Sequence, residues 1–241
     1  MTERPILFQG AMVRAILDGS KTQTRRVVKP VGNDGGFVLV EQKDGTLWPH
    51  RSDDGESCFV TRRERDGDYL DDIPMRCPYG QPGDRLWVRE AWRVAKKWDG
   101  TAPRDLPPRT MTVEYEVGGY ACNSAFAGGQ WTASEDNSPR EHPEWVGKLR
   151  PSMFMPRWAS RITLEITGVR VERLQDISEA DSQAEGCAPA WLDADDNETV
   201  HADAPPTYRQ GYARLWRDIN GPGSWGANPW VWVYEFSRSN A

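Results

Sequence analysis

Cysteine and histidine are scarce and scattered in this 241-residue chain. The four cysteines stand at 58, 77, 122 and 187 and the three histidines at 50, 142 and 201, with none of the close pairs that a zinc site requires. Isolated reduced thiols are expected, with no metal and no cofactor. His50 and His142, each beside a proline, read as ordinary surface residues. Long apolar runs are also missing. Nothing approaches the ~20 residues of a membrane span, and the N-terminus has no basic-then-apolar leader. A soluble, cytoplasmic protein that does not engage a membrane follows. Basic charge is not in excess either: the formal net charge is −6, so no global field draws polyanions and any nucleic-acid surface must be local. The densest basic run, Thr61-Arg62-Arg63-Glu64-Arg65, is interrupted by an acid and followed by aspartates, which suits a solvated face. No internal repeat, coiled coil or long apolar stripe is present.

What the chain has in quantity is tryptophan, 12 in all, set among only 38% hydrophobic residues with 18 prolines and 22 glycines. This composition describes an aromatic-rich core with long polar excursions, and the length suffices for a sizeable core. Ordered signals gather in three blocks. In the first, Ile6-Leu7-Phe8 reads as a strand, and apolar residues at 12, 13, 16 and 17 have helical spacing up to a stop at Gly19. In the second, Leu86 and Val88 alternate with Trp87 and Arg89 after a Gly83-Asp84 turn. The third holds an alternating run from Ile162 to Leu174 with a phase change near Gly168, expected as two strands or one bent strand. It continues with a helix from Ser178 to Gly186, a short amphipathic helix over 212–219, and a closing strand over 229–236. That strand sets Trp230, Trp232 and Tyr234 opposite Val231, Val233 and Glu235. The segments at about 31–76, 96–150 and 188–207 read as polar insertions on a single domain spanning 1–241. A hairpin is expected across Phe37–Trp48 and a strand over Met111–Val117.

The most chemically loaded stretch is Gly19-Ser20-Lys21-Thr22-Gln23-Thr24-Arg25-Arg26, directly after the first helix. Read as a strand up to Pro30, it places Thr24 and Arg26 on one face and Gln23 and Arg25 on the other. Such a cluster is costly to bury unpaired, so it faces water or handles a polar ligand. A lysine near a threonine is either a base beside a nucleophile or an anion-binding corner.

These pieces resemble the ASCH domain, a small β-barrel superfamily related to PUA-type RNA-binding folds. Gly19, Lys21, Thr24 and Arg26 match its Gly-x-Lys-x-x-(Glu or Thr)-x-Arg motif, and the Gly83-Asp84 strand and the closing aromatic strand match its order. About half the residues take part. The insertions are similar to those of a branch common in bacteriophage and prophage genomes. The resemblance implies an α+β fold: a PUA-like barrel flanked by short helices. Thr24, where many ASCH domains carry Glu, is similar to the branch containing a bacterial N(4)-acetylcytidine amidohydrolase. That likeness implies Lys21, Thr24 and Glu185 as catalytic residues.

On this resemblance Thr24 is the nucleophile or gives way to an activated water. Lys21 is the base, its pKa lowered by burial and by Arg25 and Arg26. Glu185 orients Lys21 or relays a proton, and Arg26 holds an oxyanion or the pyrimidine carbonyl, with Arg25, Trp87 and Gly19 at the binding site. Three alternatives stand beside this. Lys21 and Glu185 are a structural salt bridge with Arg26 as a brace, which composition and spacing alone favour. The chain is a non-catalytic module for RNA or a modified base, stacking it on tryptophans such as Trp87, Trp92 and Trp158, each of which also suits a core. Last, it is a phage accessory or assembly protein.

Overall fold

The computed structural model describes residues 1–28, 58–63, 69–75, 77–108, 112–124, 130–133, 142–191 and 205–239. In chain order they form β1 (Glu3–Leu7), α1 (Gly10–Leu17), β2 (Gln23–Val27), β3 (Cys58–Arg63), β4 (Tyr69–Met75), β5 (Arg85–Arg89), β6 (Trp92–Arg93), β7 (Val113–Tyr115), β8 (Tyr120–Ser124), β9 (Gln130–Ala133), β10 (Thr163–Arg173), α2 (Glu179–Ala184), α3 (Tyr208–Asn220) and β11 (Trp230–Ser239). The class is α+β, with strands dominant and helices few. Among the described residues no helix is long and apolar enough to cross a membrane.

The chain divides into two compact units. The first comprises Met1–Ser20, Asp84–Glu165 and Ser237–Ala241. In it β5 pairs in parallel with β1 and antiparallel with the start of β10, with Ile6 beside Val88 and Leu86 beside Leu164. Alternation buries these side chains, and Val13 and Ile16 of α1 are buried as the apolar spacing requires. The segment expected as a polar excursion carries a sheet of its own, in the order β6-β7-β8-β9. Trp92, Val94, Leu106, Val113 and Tyr115 form its core, and of the strand expected over Met111–Val117 the structure has Val113–Tyr115, with Glu116 and Val117 in a turn and Met111 outside the described residues.

The second unit comprises Lys21–Gly83 and Ile166–Phe236. Here β11 lies between β10 and β2, antiparallel to β2 with Tyr234 beside Thr24 and Trp232 beside Arg26. As alternation demands, Val231 and Val233 pack with α3, while Trp232 and Tyr234 pack with Val171 in a separate cluster. β3 and β4 form a two-stranded antiparallel ladder. The Phe37–Trp48 hairpin, Glu64 and Arg65 lie outside the described residues.

The closed barrel is not formed among the described residues. The order β1-β5-β10-β11-β2 is open, with β1 and β2 at its ends. Pro5 in the middle of β1 has no N–H for a second ladder, which suits an edge strand. The phase change near Gly168 does not divide β10, whose 11 residues stay one strand. Inward positions shift instead from Leu164 and Ile166 to Val171.

The helix ends follow local chemistry. Ser178 caps α2 by accepting the Asp181 N–H at 3.0 Å, and Gly19 and Gly186 adopt the left-handed backbone (φ 83° and 78°) that stops α1 and α2. α3 begins earlier than its apolar spacing suggests because Thr207 and Gln210 form a reciprocal capping box. Within α3, Gly211 faces backbone: a Cβ there would lie 2.0 Å from the Ala188 carbonyl oxygen. Gly211→Ala is therefore expected to destabilise the protein by about 1–3 kcal/mol, read as a lower urea midpoint.

Candidate active site

β2 and the end of α2 build the site, and the second unit holds all of it. Lys21 and Glu185 form an antiparallel backbone bridge, and the Thr22 N–H donates to the Ala184 carbonyl at 2.9 Å. This backbone contact delivers the two side chains to each other. Lys21 Nζ donates to Glu185 Oε2 at 2.6 Å and to the Glu185 carbonyl at 2.8 Å. The two side chains are 0% and 2% exposed. Burial holds the Lys21 pKa below its ordinary value, against the pull of the Glu185 carboxylate, and the Arg26 charge adds to the lowering.

Arg25 closes the other side of the carboxylate. Its Nη1 donates to Glu185 Oε1 at 3.2 Å and to Gln23 Oε1 at 2.8 Å, and its Nε donates to Glu172 Oε1 at 3.0 Å. Asp181 Oδ2 lies 3.5 Å from Arg25 Nη2 and Asp181 Oδ1 accepts from Gln23 Nε2 at 3.1 Å. From there Arg170 carries the network to the surface, bonding Glu172, Asp181 and Glu235. Tyr212 of α3 lies under the Arg25 guanidinium, 5.8 Å from it. Burial and then Glu185 push its phenol well above the ordinary range. Cys187 donates its thiol to the Ser182 carbonyl at 2.8 Å, and burial followed by Glu185 pushes its pKa up to about 11. It is a packed thiol rather than a nucleophile.

Of the residues singled out in the sequence, Lys21, Arg25 and Glu185 come together. Thr24 is buried on the opposite face of β2, as strand alternation requires, and its hydroxyl accepts from Arg26 Nη1 at 3.1 Å. Arg26 Nη1 also donates to the Arg25 carbonyl at 3.1 Å. Gly19 and Trp87 belong to the first unit. There Trp87 is buried beneath Arg89, 4.6 Å from its ring, and Trp92 packs edge-on against Trp158 at 6.3 Å. No protein-family model, curated protein or solved structure matches this chain. The site is therefore read from its own chemistry.

Sequence reasoning missed Gln23, Glu172, Asp181 and Arg170. A signal existed for two of them, since Arg170 and Glu172 share the polar face of β10 in an alternating run. Asp181 lies one helical turn before Glu185, so both carboxylates project from the same side of α2 and its C-terminal cap. Among the described residues no group of three or more His, Cys, Asp or Glu is placed to hold a metal ion.

Proposed function

We propose that the chain is an amidohydrolase acting on an N-acylated pyrimidine nucleoside such as N(4)-acetylcytidine. The observation that supports it is the enclosed Lys21 amine, lowered in pKa and hydrogen-bonded to Glu185 at 2.6 Å. A neutral amine in that position is a general base, and a carboxylate bonded to it fixes its direction. In the proposed reaction Lys21 takes a proton from water, whose oxygen attacks the acyl carbonyl carbon. The tetrahedral intermediate collapses with cleavage of the C–N bond, and Lys21 returns the proton to the leaving amine. The products are the carboxylic acid and the free nucleoside. Water serves as nucleophile because Thr24 points to the other face of β2 and is engaged by Arg26. Arg25, held by Gln23 and Glu172, donates to the other oxygen of Glu185 and fixes that carboxylate beside the lysine. Since the Lys21 side chain is fully enclosed, turnover requires a local opening that admits the acyl group while Glu185 stays bonded to the amine.

The pH profile tests the base assignment. With Lys21 lowered from the ordinary lysine value of 10.5, kcat/KM rises with pH as the amine loses its proton and levels off below that value. A flat profile, or a rising limb at or above the ordinary lysine value, contradicts it.

A second reading, a module that holds RNA or a modified base without turnover, draws on the half-buried Trp230 with the Arg173 guanidinium 4.2 Å from its ring. Aromatic faces and arginine planes stack bases. That reading requires saturable RNA binding that weakens with salt, with no product formed.

A further inference from the structure

The sheet within the first unit bounds a cavity of about 540 Å³, inside the size range of small-molecule sites. β6, β7 and β8 bring Arg93, Glu114 and Tyr120 side by side on one face, since Arg93 pairs with Glu114 and Glu114 with Tyr120. Glu116, in the turn just past the end of β7, also lines the cavity. His142 and Trp145 enter from the segment that follows. Trp145 is pinned there by its carbonyl, which accepts the Lys96 N–H at 2.8 Å, and by the bridge between Ala95 and Val146.

The charges on this face are unequally satisfied. Arg93 turns away from its neighbour Glu114, giving Nη2 to Glu116 at 3.1 Å and Nη1 to the Gly147 carbonyl at 3.4 Å. Glu114 is left facing His142, whose Nδ1 lies 3.1 Å from Oε2 but is not aligned as a hydrogen bond. Oε2 is enclosed against His142 without a hydrogen bond, and the Glu114 side chain, 13% exposed, meets the cavity with the rest of its carboxylate. A largely buried carboxylate held only by an unaligned imidazole is stabilised by a further donor. Beside it stand two large rings with free surface, Tyr120 at 42% and Trp145 at 46% exposure. A carboxylate lacking a donor next to exposed aromatic faces is the chemistry that recognises an organic ammonium.

We propose that the cavity walled by Glu114, Tyr120, His142 and Trp145 binds a small organic cation bearing a flat ring, with its ammonium on Glu114 and its ring against Tyr120 and Trp145. With Arg93 engaged by Glu116, Glu114 is the carboxylate left to receive a single ammonium. This site is independent of the Lys21–Glu185 chemistry.

Calorimetric titration of the full chain with phenethylamine, 2-phenylethanol and 3-phenylpropionate tests the assignment. The amine is expected to bind with a dissociation constant on the order of a millimolar or below, with the alcohol and the acid at least about tenfold weaker. Glu114→Gln is expected to weaken the amine about tenfold or more, and Trp145→Ala several-fold, with unchanged circular dichroism. Equal affinity for amine and alcohol, no saturable amine binding, or unaltered affinity in Glu114→Gln overturns the proposal. Should Glu114→Gln fail to fold, Trp145→Ala decides in its place, because that ring is nearly half exposed; unchanged amine affinity there also overturns it.

Discussion

Lys21→Met is expected to lower kcat/KM for N(4)-acetylcytidine deacylation by at least about 10³-fold while Thr24→Val changes it by no more than a few-fold. Methionine approximates the length of the lysine stem and removes only the amine. The carboxylate that loses its partner is not stranded, because Arg25 Nη1 remains 3.2 Å from Glu185 Oε1. The variant therefore keeps its fold, and the loss of rate reports chemistry. Thr24 supplies the contrast. Its hydroxyl accepts from Arg26 on the far face of β2, so valine removes one hydrogen bond and leaves the Lys21–Glu185 pair intact. Equal losses in both variants would assign the nucleophile to Thr24 and exclude the water route.

Arg161→Ala is expected to cost about 3–5 kcal/mol of stability. Arg161 meets Glu90 in a two-pronged pair at 2.9 Å on each prong, with side chains 2% and 1% exposed, and its guanidinium lies 4.0 Å from the Tyr115 ring. Truncation leaves the Glu90 carboxylate buried and uncompensated, and removes the stacked plane over Tyr115. A fall in Tm of roughly 6–20 °C follows for a chain of this size. The pH dependence has a definite sign. Burial raises the Glu90 pKa above its ordinary 4.5, with Arg161 opposing the rise. Below the ordinary value both folded and unfolded chains hold the proton and Glu90 buries no charge. As pH climbs through the raised folded value, the folded chain gives up a proton it held more tightly, and stability falls. Without Arg161 that loss deepens, so the penalty of the variant is expected to shrink at about pH 4 relative to about pH 8. A pH-independent penalty would contradict the account.

Legibility of the fold in the sequence followed the range of the interactions. The apolar spacing at 12, 13, 16 and 17 specified α1, Ser178 and Gly186 bracketed α2, and the two faces of β11 were readable from alternation, because each depends on neighbours a few residues away. The same alternation placed Thr24 and Arg26 apart from Gln23 and Arg25. What distant strands contribute was not readable. Arg25 is held by Glu172, 147 residues on, and nothing local to either residue specifies the other. The open strand order had a cue in Pro5, which forbids a second ladder. The four-stranded sheet within 92–133 had one visible strand and three hidden ones, because polar β-hairpins with glycine turns share their composition with loops. His142 read as an ordinary surface residue and is 42% exposed, but its approach to Glu114 arises only through the folded sheet.

The central claim is that a buried lysine–glutamate pair hydrolyses an acylated base. Chromatography of N(4)-acetylcytidine incubated with the purified chain tests it most directly. Cytidine and acetate accumulating in equal amounts with the wild-type protein, and not with Lys21→Met, is the result this account predicts. No cytidine from the wild type, or the same yield from both, would contradict it.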